Sequence, residues 1–273
     1  MTAAATVSQA VRAATSREAA MVAVRRTLEL TGVLSRKNFR IRYKRAALGI
    51  FWAVLQPAFQ ALVLSYVFLR VFHVHQVAHY PIYVLSGILP WAFFTGSMTS
   101  STVSVVDNGS LVKKVAMPLV VFPLSAVGGT GLAFLAAMPV LLVAGLLSGT
   151  IGWSLLWLPV AVALEVLTIV GFAVLLSSLY PAFRDIRYLV ESALLLGLYA
   201  TPILYDRTKL HANLSHALLA NPMTGVMETY RAAVLGRAVH GKAIACTIAV
   251  DLIVLGLATI VFRRRRDEFP DLV

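Results

Sequence analysis

The sequence predicts an all-α integral membrane protein with six transmembrane helices and both termini in the cytoplasm. Three observations predict it. Only 13% of the 273 residues are charged and the mean hydropathy is +0.81, whereas roughly a quarter of a soluble domain is charged. The apolar residues gather in uncharged runs long enough to cross a hydrocarbon core of about 30 Å at about 1.5 Å per helical residue. The cations sit at the edges of those runs, biased to one side, as cytoplasmic loops require. A net charge of +12 would suit nucleic acid only if the cations shared one accessible face. Spread along membrane edges, they exclude that partner. Cys246 is the single cysteine, so an internal disulfide and a cysteine metal site are both excluded.

Residues 1–20 are rich in Ala, Thr and Ser and lack the apolar core of about 7–15 residues that a secretory signal needs. They are expected to persist as a mobile tail. Residues 21–45 read as a cytoplasmic amphipathic helix. Met21, Val24, Leu28 and Phe39 fall near one side of its wheel, with Arg25, Arg26, Glu29, Arg36 and Arg40 on the other. That suits a helix lying in the membrane interface. Leu30 and Val33 break the pattern, and a cytoplasmic helix docked on a partner fits equally well.

The cations Arg36, Lys37, Arg40, Arg42, Lys44 and Arg45 then meet an uncharged run at 46–69, the first span. Cations flanking a span stay in the cytoplasm, which places the N-terminus inside. After Arg70, His73, His75 and His79 form a short outer loop. The i, i+4 pair His75 and His79 would chelate a metal on a helix, but with no carboxylate or cysteine beside it a polar loop at headgroup level is the simpler reading. Span two covers 81–105, with Trp91, Phe93 and Phe94 after Pro90. Asp107, Lys113 and Lys114 mark a cytoplasmic loop.

Residues 115–164 carry no charge, too many for one helix and enough for two. Span three is therefore 118–147 and span four 153–180, joined at Ser148-Gly-Thr-Ile-Gly152. Arg184 and Arg187 mark the next cytoplasmic loop, and span five covers 188–204. The outer segment 206–242 holds apolar patches at 217–219 and 226–234. They are too short to cross, but able to dip in as re-entrant helices beneath other protein. Span six, 244–262, closes a permease domain of 46–262 and gives way to a basic tail, 263–273, that opens with four arginines. Of the 24 cations, the outer side takes Arg70, Arg207, Lys209, Arg231, Arg237 and Lys242 alone.

Gly236 to Ala243 matches a phosphate-binding loop except at Ala243, where the magnesium-holding hydroxyl is missing. No strand pattern precedes it, and it lies on the outer side. Chance explains it, and whatever work the chain does must be driven from elsewhere. Glu165, Glu191 and Asp251 fall in or near spans, where an ionised carboxylate is costly. Hydrogen bonding between helices is the plainer role, and a proton-coupled carrier the sharper one. Gly145 and Gly149 form a small-xxx-small pair. Phe59, Tyr66 and Tyr199 lie deeper than interfacial belts require, so they face lipid, pack in the core, or line a channel that stacks on sugar rings.

Several segments together resemble the membrane subunits of ABC exporters for cell-surface polysaccharides such as O-antigen, teichoic acid and galactan. They are Arg42-Tyr-Lys-Arg-Ala-Ala-Leu-Gly49 with Trp52, Gln56 and Pro57; Gly87-Ile-Leu-Pro-Trp-Ala-Phe-Phe94; residues 108–118; Arg184-Asp-Ile186; Thr201-Pro-Ile-Leu-Tyr205; and Asn221-Pro222 with Tyr230-Arg231. The resemblance implies a homodimer in the bacterial plasma membrane, clasped by two separate ATP-binding subunits that carry ATP and magnesium. No cofactor is expected in this chain. It also implies re-entrant gate helices between spans five and six.

On that reading the polymer passes between protomers along Phe59, Tyr66 and Tyr199. A lipid-pyrophosphate head meets the basic collar Arg40, Arg42, Lys44 and Arg45, since phosphate favours guanidinium forks, although orientation alone also explains the collar. Coupling to the ATPase falls to Arg25, Arg26, Asp107, Lys113, Lys114, Arg184 and Arg187. The alternatives are a drug or lipid exporter of the same permease type and a membrane-embedded transferase. The transferase would need clustered catalytic groups, whereas the acids here are scattered over different spans.

Overall fold

The structure, a computed structural model, describes residues 2–44, 47–73, 77–114, 117–265 and 268–272, with side chains from residue 21 onward apart from 270 and 271. The described residues contain no strand. The helices are α1 (Thr2–Tyr43), α2 (Phe51–Arg70), α3 (Tyr80–Asp107), α4 (Gly109–Lys114), α5 (Val121–Leu147), α6 (Leu158–Leu179), α7 (Ile186–Ala200), α8 (Ala212–Ala217), α9 (Pro222–Leu235), α10 (Gly241–Arg265) and α11 (Phe269–Leu272). A 3-10 turn, Trp153–Trp157, leads into α6.

Among the described residues five helices are long and apolar enough to cross a membrane: α2, α3, α5, α6 with its leading turn, and α10. α3 is the hub. In its apolar stretch 72% of residues are buried, against 17% in α2 and 22% in α10, so α3 sits inside the bundle and the other two lie at its edge. Toward its C-terminal half the buried face carries small polar residues, Ser97, Ser101, Thr102 and Ser104, which let neighbouring backbones approach. Ser97 shares a hydrogen bond of 2.6 Å with Thr130 of α5, while the Thr102 and Ser104 hydroxyls donate to carbonyls within α3. No hydroxyl of these four is left bare in an apolar setting.

α1 docks on α5 through a face different from the one its wheel suggests. Met21, Val24, Leu28 and Val33 stay exposed. The contact is made by Ser35 and Asn38, with the Asn38 amide donating to Ser125 Oγ at 3.3 Å. A Cβ on Gly128 would collide with Ser35, and one on Gly129 would lie 3.0 Å from Asn38 Cβ. Close backbone approach, rather than the apolar stripe, places the helix. α1 is continuous from Thr2 to Tyr43, so the backbone is helical through the stretch expected as a tail; its many alanines favour helix.

Span five is shorter than expected. α7 has 15 residues, about 22 Å of helix, and stops at Ala200. Pro202 is the reason: a residue before proline is pushed to extended backbone, and Thr201 has φ −97° and ψ 138°. α9, by contrast, lies deep. It is buried along nearly its whole length against α3, α6 and α10. Gly225 permits this, because a Cβ there would strike Thr247 and the Ala243 carbonyl of α10.

The bundle has two distinct ends. At the basic end Lys113, Lys114, Arg184, Arg187, Arg263 and Arg264 are exposed, over a small core of Val105, Val112, Phe122 and Phe269 that joins α3, α4, α5 and α11. At the opposite end Tyr80 and Tyr83 donate to the carbonyls of Leu204 and Tyr205, tying α3 to the chain beyond α7.

Candidate functional site

A cavity of about 570 Å³ opens between the end of α1, α2, α3, α5 and α7. Each helix contributes a different kind of group. From α1, Arg42 reaches across to α3 and donates to Ser100 Oγ at 2.8 Å. The Arg42 guanidinium passes close to Gly96, where a Cβ would lie in ordinary contact at 3.7 Å. From α2 come Gln56 and Gln60, one turn apart on one face, with Pro57 between them. Pro57 has no N–H, so the Ala53 carbonyl, also at the cavity, loses its usual i→i−4 donor.

α3 adds Thr95, Thr99, Trp91 and Phe93; Phe93 stacks on Phe134 of α5 with centroids 4.9 Å apart. α7 closes the side with Leu194, Leu195 and Leu198 and brings Glu191, which Arg187 holds at 3.0 Å. The result is one guanidinium, two amides, several hydroxyls and a carboxylate neutralised by Arg187, over an aromatic floor. Such a surface grips an anionic head and offers ring faces to an amphipathic body.

The collar residues part company in the structure. Arg42 lines the cavity while staying solvent-exposed, Arg40 and Lys44 are exposed and do not line it, and Arg45 lies outside the described residues. Of the expected channel rings, Phe59, Tyr66 and Tyr199 are 58%, 67% and 65% exposed, and none lines the cavity. Phe59 and Tyr66 lie on α2 and Tyr199 on α7. The rings lining it are Tyr43, Trp91, Phe93 and Phe134. The signal for Trp91 and Phe93 was the Pro90-Trp91-Ala-Phe93 run opposite Gly131, where a Cβ would lie 3.4 Å from Phe93.

The expected coupling residues all reach the basic end or α1. Arg25 pairs with Glu29 at 2.9 Å and Arg26 is exposed, as are Asp107, Lys113 and Lys114. Arg184 donates to the Leu272 carbonyl at 3.1 Å, linking the loop before α7 to α11. The buried acids are hydrogen-bonded between helices. Glu165 of α6 accepts from Tyr230 of α9, and Asp251 of α10 accepts from Thr168 of α6 at 2.8 Å. His79 starts α3 with φ 51°, and His75 lies outside the described residues. The phosphate-loop look-alike is the link from α9 to α10, with Gly236 at φ 63° ending one helix and Gly241 starting the next.

A charged cluster at the opposite end was not foreseen. Arg207 pairs with Glu228 at 2.6 Å and Arg237 with Asp206 at 2.7 Å. Burial raises the Asp206 carboxyl, yet hydrogen bonds from the Thr208 hydroxyl, Arg237 and the Thr208 amide outweigh it and hold the group below its ordinary range. The alternation of acid and base through 206–240 was its trace in the sequence.

A family model described as ABC-2 type transporter matches residues 29–235, from within α1 through α9. The chain belongs to the ABC-2 type transporter family. Among curated relatives, an O-antigen export system permease protein RfbA of Klebsiella pneumoniae is 28% identical over 90% of this chain and 95% of its own length. A protein of the same name from Myxococcus xanthus is 28% identical over 87% and 93%. An ABC-2 permease is a transport subunit of the plasma membrane, and the family implies ATP-binding cassette partners. The matched range takes in Arg42, the cavity and α9, and stops before α10.

Proposed function

We propose that this ABC-2 permease exports a lipid-linked polysaccharide across the plasma membrane, as a homodimer driven by two separate ATP-binding subunits. The observation that carries the reading is Arg42, a guanidinium at the end of α1 that lines a cavity floored by aromatic rings. A lipid-pyrophosphate head needs the first, and sugar faces suit the second. The names of the relatives support the same substrate class.

The basic end faces the cytoplasm, because its exposed cations follow the inside bias of membrane proteins. α7 together with the turns from Thr201 to Tyr205 makes a further crossing, fifth in chain order, which brings the total to six. α8 and α9 then form the re-entrant element; α9 is shielded by α3, α6 and α10, as backbone at membrane depth must be. The ATP-binding partners seat on α4, the loop before α7 and the exposed face of α1. ATP and magnesium stay on those partners. Closure of the partners moves α4 and α1, and α1 carries Arg42. The head group is thereby drawn from the cytoplasmic collar into the cavity.

The test is cell-surface polymer measured in a strain whose own permease is deleted. Arg42→Ala is expected to lower surface polymer at least tenfold, with complex yield unchanged, and Arg42→Lys to restore only part. Normal polymer export with Arg42→Ala would overturn the role of Arg42. Transport of free lipid or amphiphilic drug by the reconstituted complex, with no effect on polymer, would assign the chain to the other branch of the permease type.

A further inference from the structure

The charged cluster at the end opposite the basic end encloses its own cavity, of about 330 Å³, between the turn after α7, α9 and the link to α10. That volume lies at the small end of ligand sites, enough for one sugar ring. Its walls are built rather than casual. The Arg207 and Glu228 side chains are each 10% exposed and Arg231 is 3% exposed. Arg207 is fixed by Glu228 and by Ser215 Oγ at 2.9 Å, and Asp206 by Arg237.

Two polar atoms of the lining residues remain without a hydrogen-bond partner in the protein. One is a donor, Arg231 Nε, and the other an acceptor, Glu228 Oε2. The rest of Arg231 is engaged: its guanidinium lies 3.6 Å over the Tyr83 ring and donates to the Ile203 carbonyl at 2.9 Å. Glu228 Oε2 stands 3.4 Å from His240 Nδ1 without a hydrogen bond. Buried polar atoms in folded proteins are almost always satisfied, so each bare one asks for an explanation.

The chemistry of the pair narrows the ligand. A phosphate or carboxylate satisfies Arg231 Nε and offsets the one lining guanidinium without an acid partner, but it brings no donor for Glu228 Oε2. A metal cation suits Glu228 and Asp206 but meets the guanidiniums of Arg207, Arg231 and Arg237. A hydroxyl both accepts and donates. Adjacent hydroxyls on one ring therefore satisfy the donor and the acceptor together, with no net charge added to a cluster whose acids are already paired.

We propose that this cavity binds one sugar unit of a hydroxyl-rich ligand, held between Arg231 Nε and Glu228 Oε2 with Ala238 and His240 at the open side. This rests on the polysaccharide reading above, and places a second glycan contact within each protomer, far from the Arg42 cavity and beside the buried α9.

The test uses the full complex in nanodiscs and a photoreactive methyl glycoside as the probe. Labelling is expected on peptides from the 206–240 segment, competed at least fivefold by free methyl glycosides and not by inorganic phosphate or calcium. Ala238→Phe fills the open side without touching an ion pair. It is expected to abolish that labelling while ATP hydrolysis and thermal unfolding stay as in the wild type. No labelling of this segment in a complex that still exports polymer would overturn the sugar site and leave the function intact. Protection by phosphate or calcium in place of the glycoside would overturn it as well. Loss of the polysaccharide reading itself shows separately, as absence of polymer export by the wild-type complex.

Discussion

Tyr230 donates its hydroxyl to Glu165 across 2.5 Å, and both side chains are closed to solvent. This one bond stitches α9, of 14 residues, to α6, which with its leading turn is long and apolar enough to cross a membrane. An apolar setting makes the pair strong and its disruption costly, because either partner alone becomes a bare polar group.

Glu165→Gln keeps an acceptor of nearly the same shape and is expected to cost no more than about 1 kcal/mol. Glu165→Ala removes the acceptor and leaves a void, with an expected loss of about 2–4 kcal/mol from the two effects together. Thermal unfolding of the purified complex measures both. Equal losses for the two variants would show that Tyr230 finds another acceptor and that α9 is held by packing alone.

The α1 and α5 contact makes a different demand. A side chain on Gly128 would have to displace Ser35, and overpacking of this kind costs about 1–3 kcal/mol. Gly128→Val is expected to loosen α1 from the bundle, raising protease cleavage within residues 21–40 several-fold while the protein still inserts. Ser35→Gly in the same chain, which vacates the space, is expected to restore protection. Failure of that rescue would mean that α1 is held mainly by other contacts.

Acid should weaken the end opposite the basic end first. The Asp206 carboxyl is held below its ordinary range in the fold, so its ionised form contributes stability that is present above the unfolded value of about 3.9. That contribution disappears as pH falls through the lower folded value. Unfolding temperature is therefore expected to drop below about pH 4, and Asp206→Asn to lie lower at neutral pH but show a shallower drop. A parallel drop in wild type and variant would assign the acid sensitivity to other carboxylates.

Hydropathy made the long crossings legible because span length and cation bias are properties of the chain itself. The end of α7 was legible too, in Pro202, once the restriction that proline places on Thr201 is weighed above the apolar run. Depth within the bundle was not. Arg40, Arg42 and Lys44 look alike in sequence, and it is the close approach of α1 to α5 and the bond to Ser100 of α3 that set Arg42 at the cavity. Nor does hydropathy separate an apolar ring facing lipid from one facing protein, which is why Phe59 and Phe93 read alike and ended on opposite sides of the cavity wall. The adjacent Gly128 and Gly129 mattered more than the spaced pair Gly145 and Gly149. Gly145 accommodates Ile151 of its own hairpin and Val234 of α9.

The exposed rings Phe59, Tyr66 and Tyr199 provide the last test, because their environment depends on whether a second protomer covers α2 and α7. Lipid accepts such rings without consequence, whereas a passage between protomers would use their faces. Each stacking contact is worth about 0.5–1.5 kcal/mol, weak enough for a polymer to slide and strong enough that losing two should matter. Phe59→Ala with Tyr199→Ala is expected to lower surface polymer about fivefold or more, with assembly and ATP hydrolysis preserved. Cysteines at 59 and 199 should then crosslink between protomers, with Cys246 replaced so that no other thiol is present. Undiminished export with no crosslink would place both rings in lipid, leaving the Arg42 cavity with its Trp91, Phe93 and Phe134 floor as the aromatic surface through which the substrate moves.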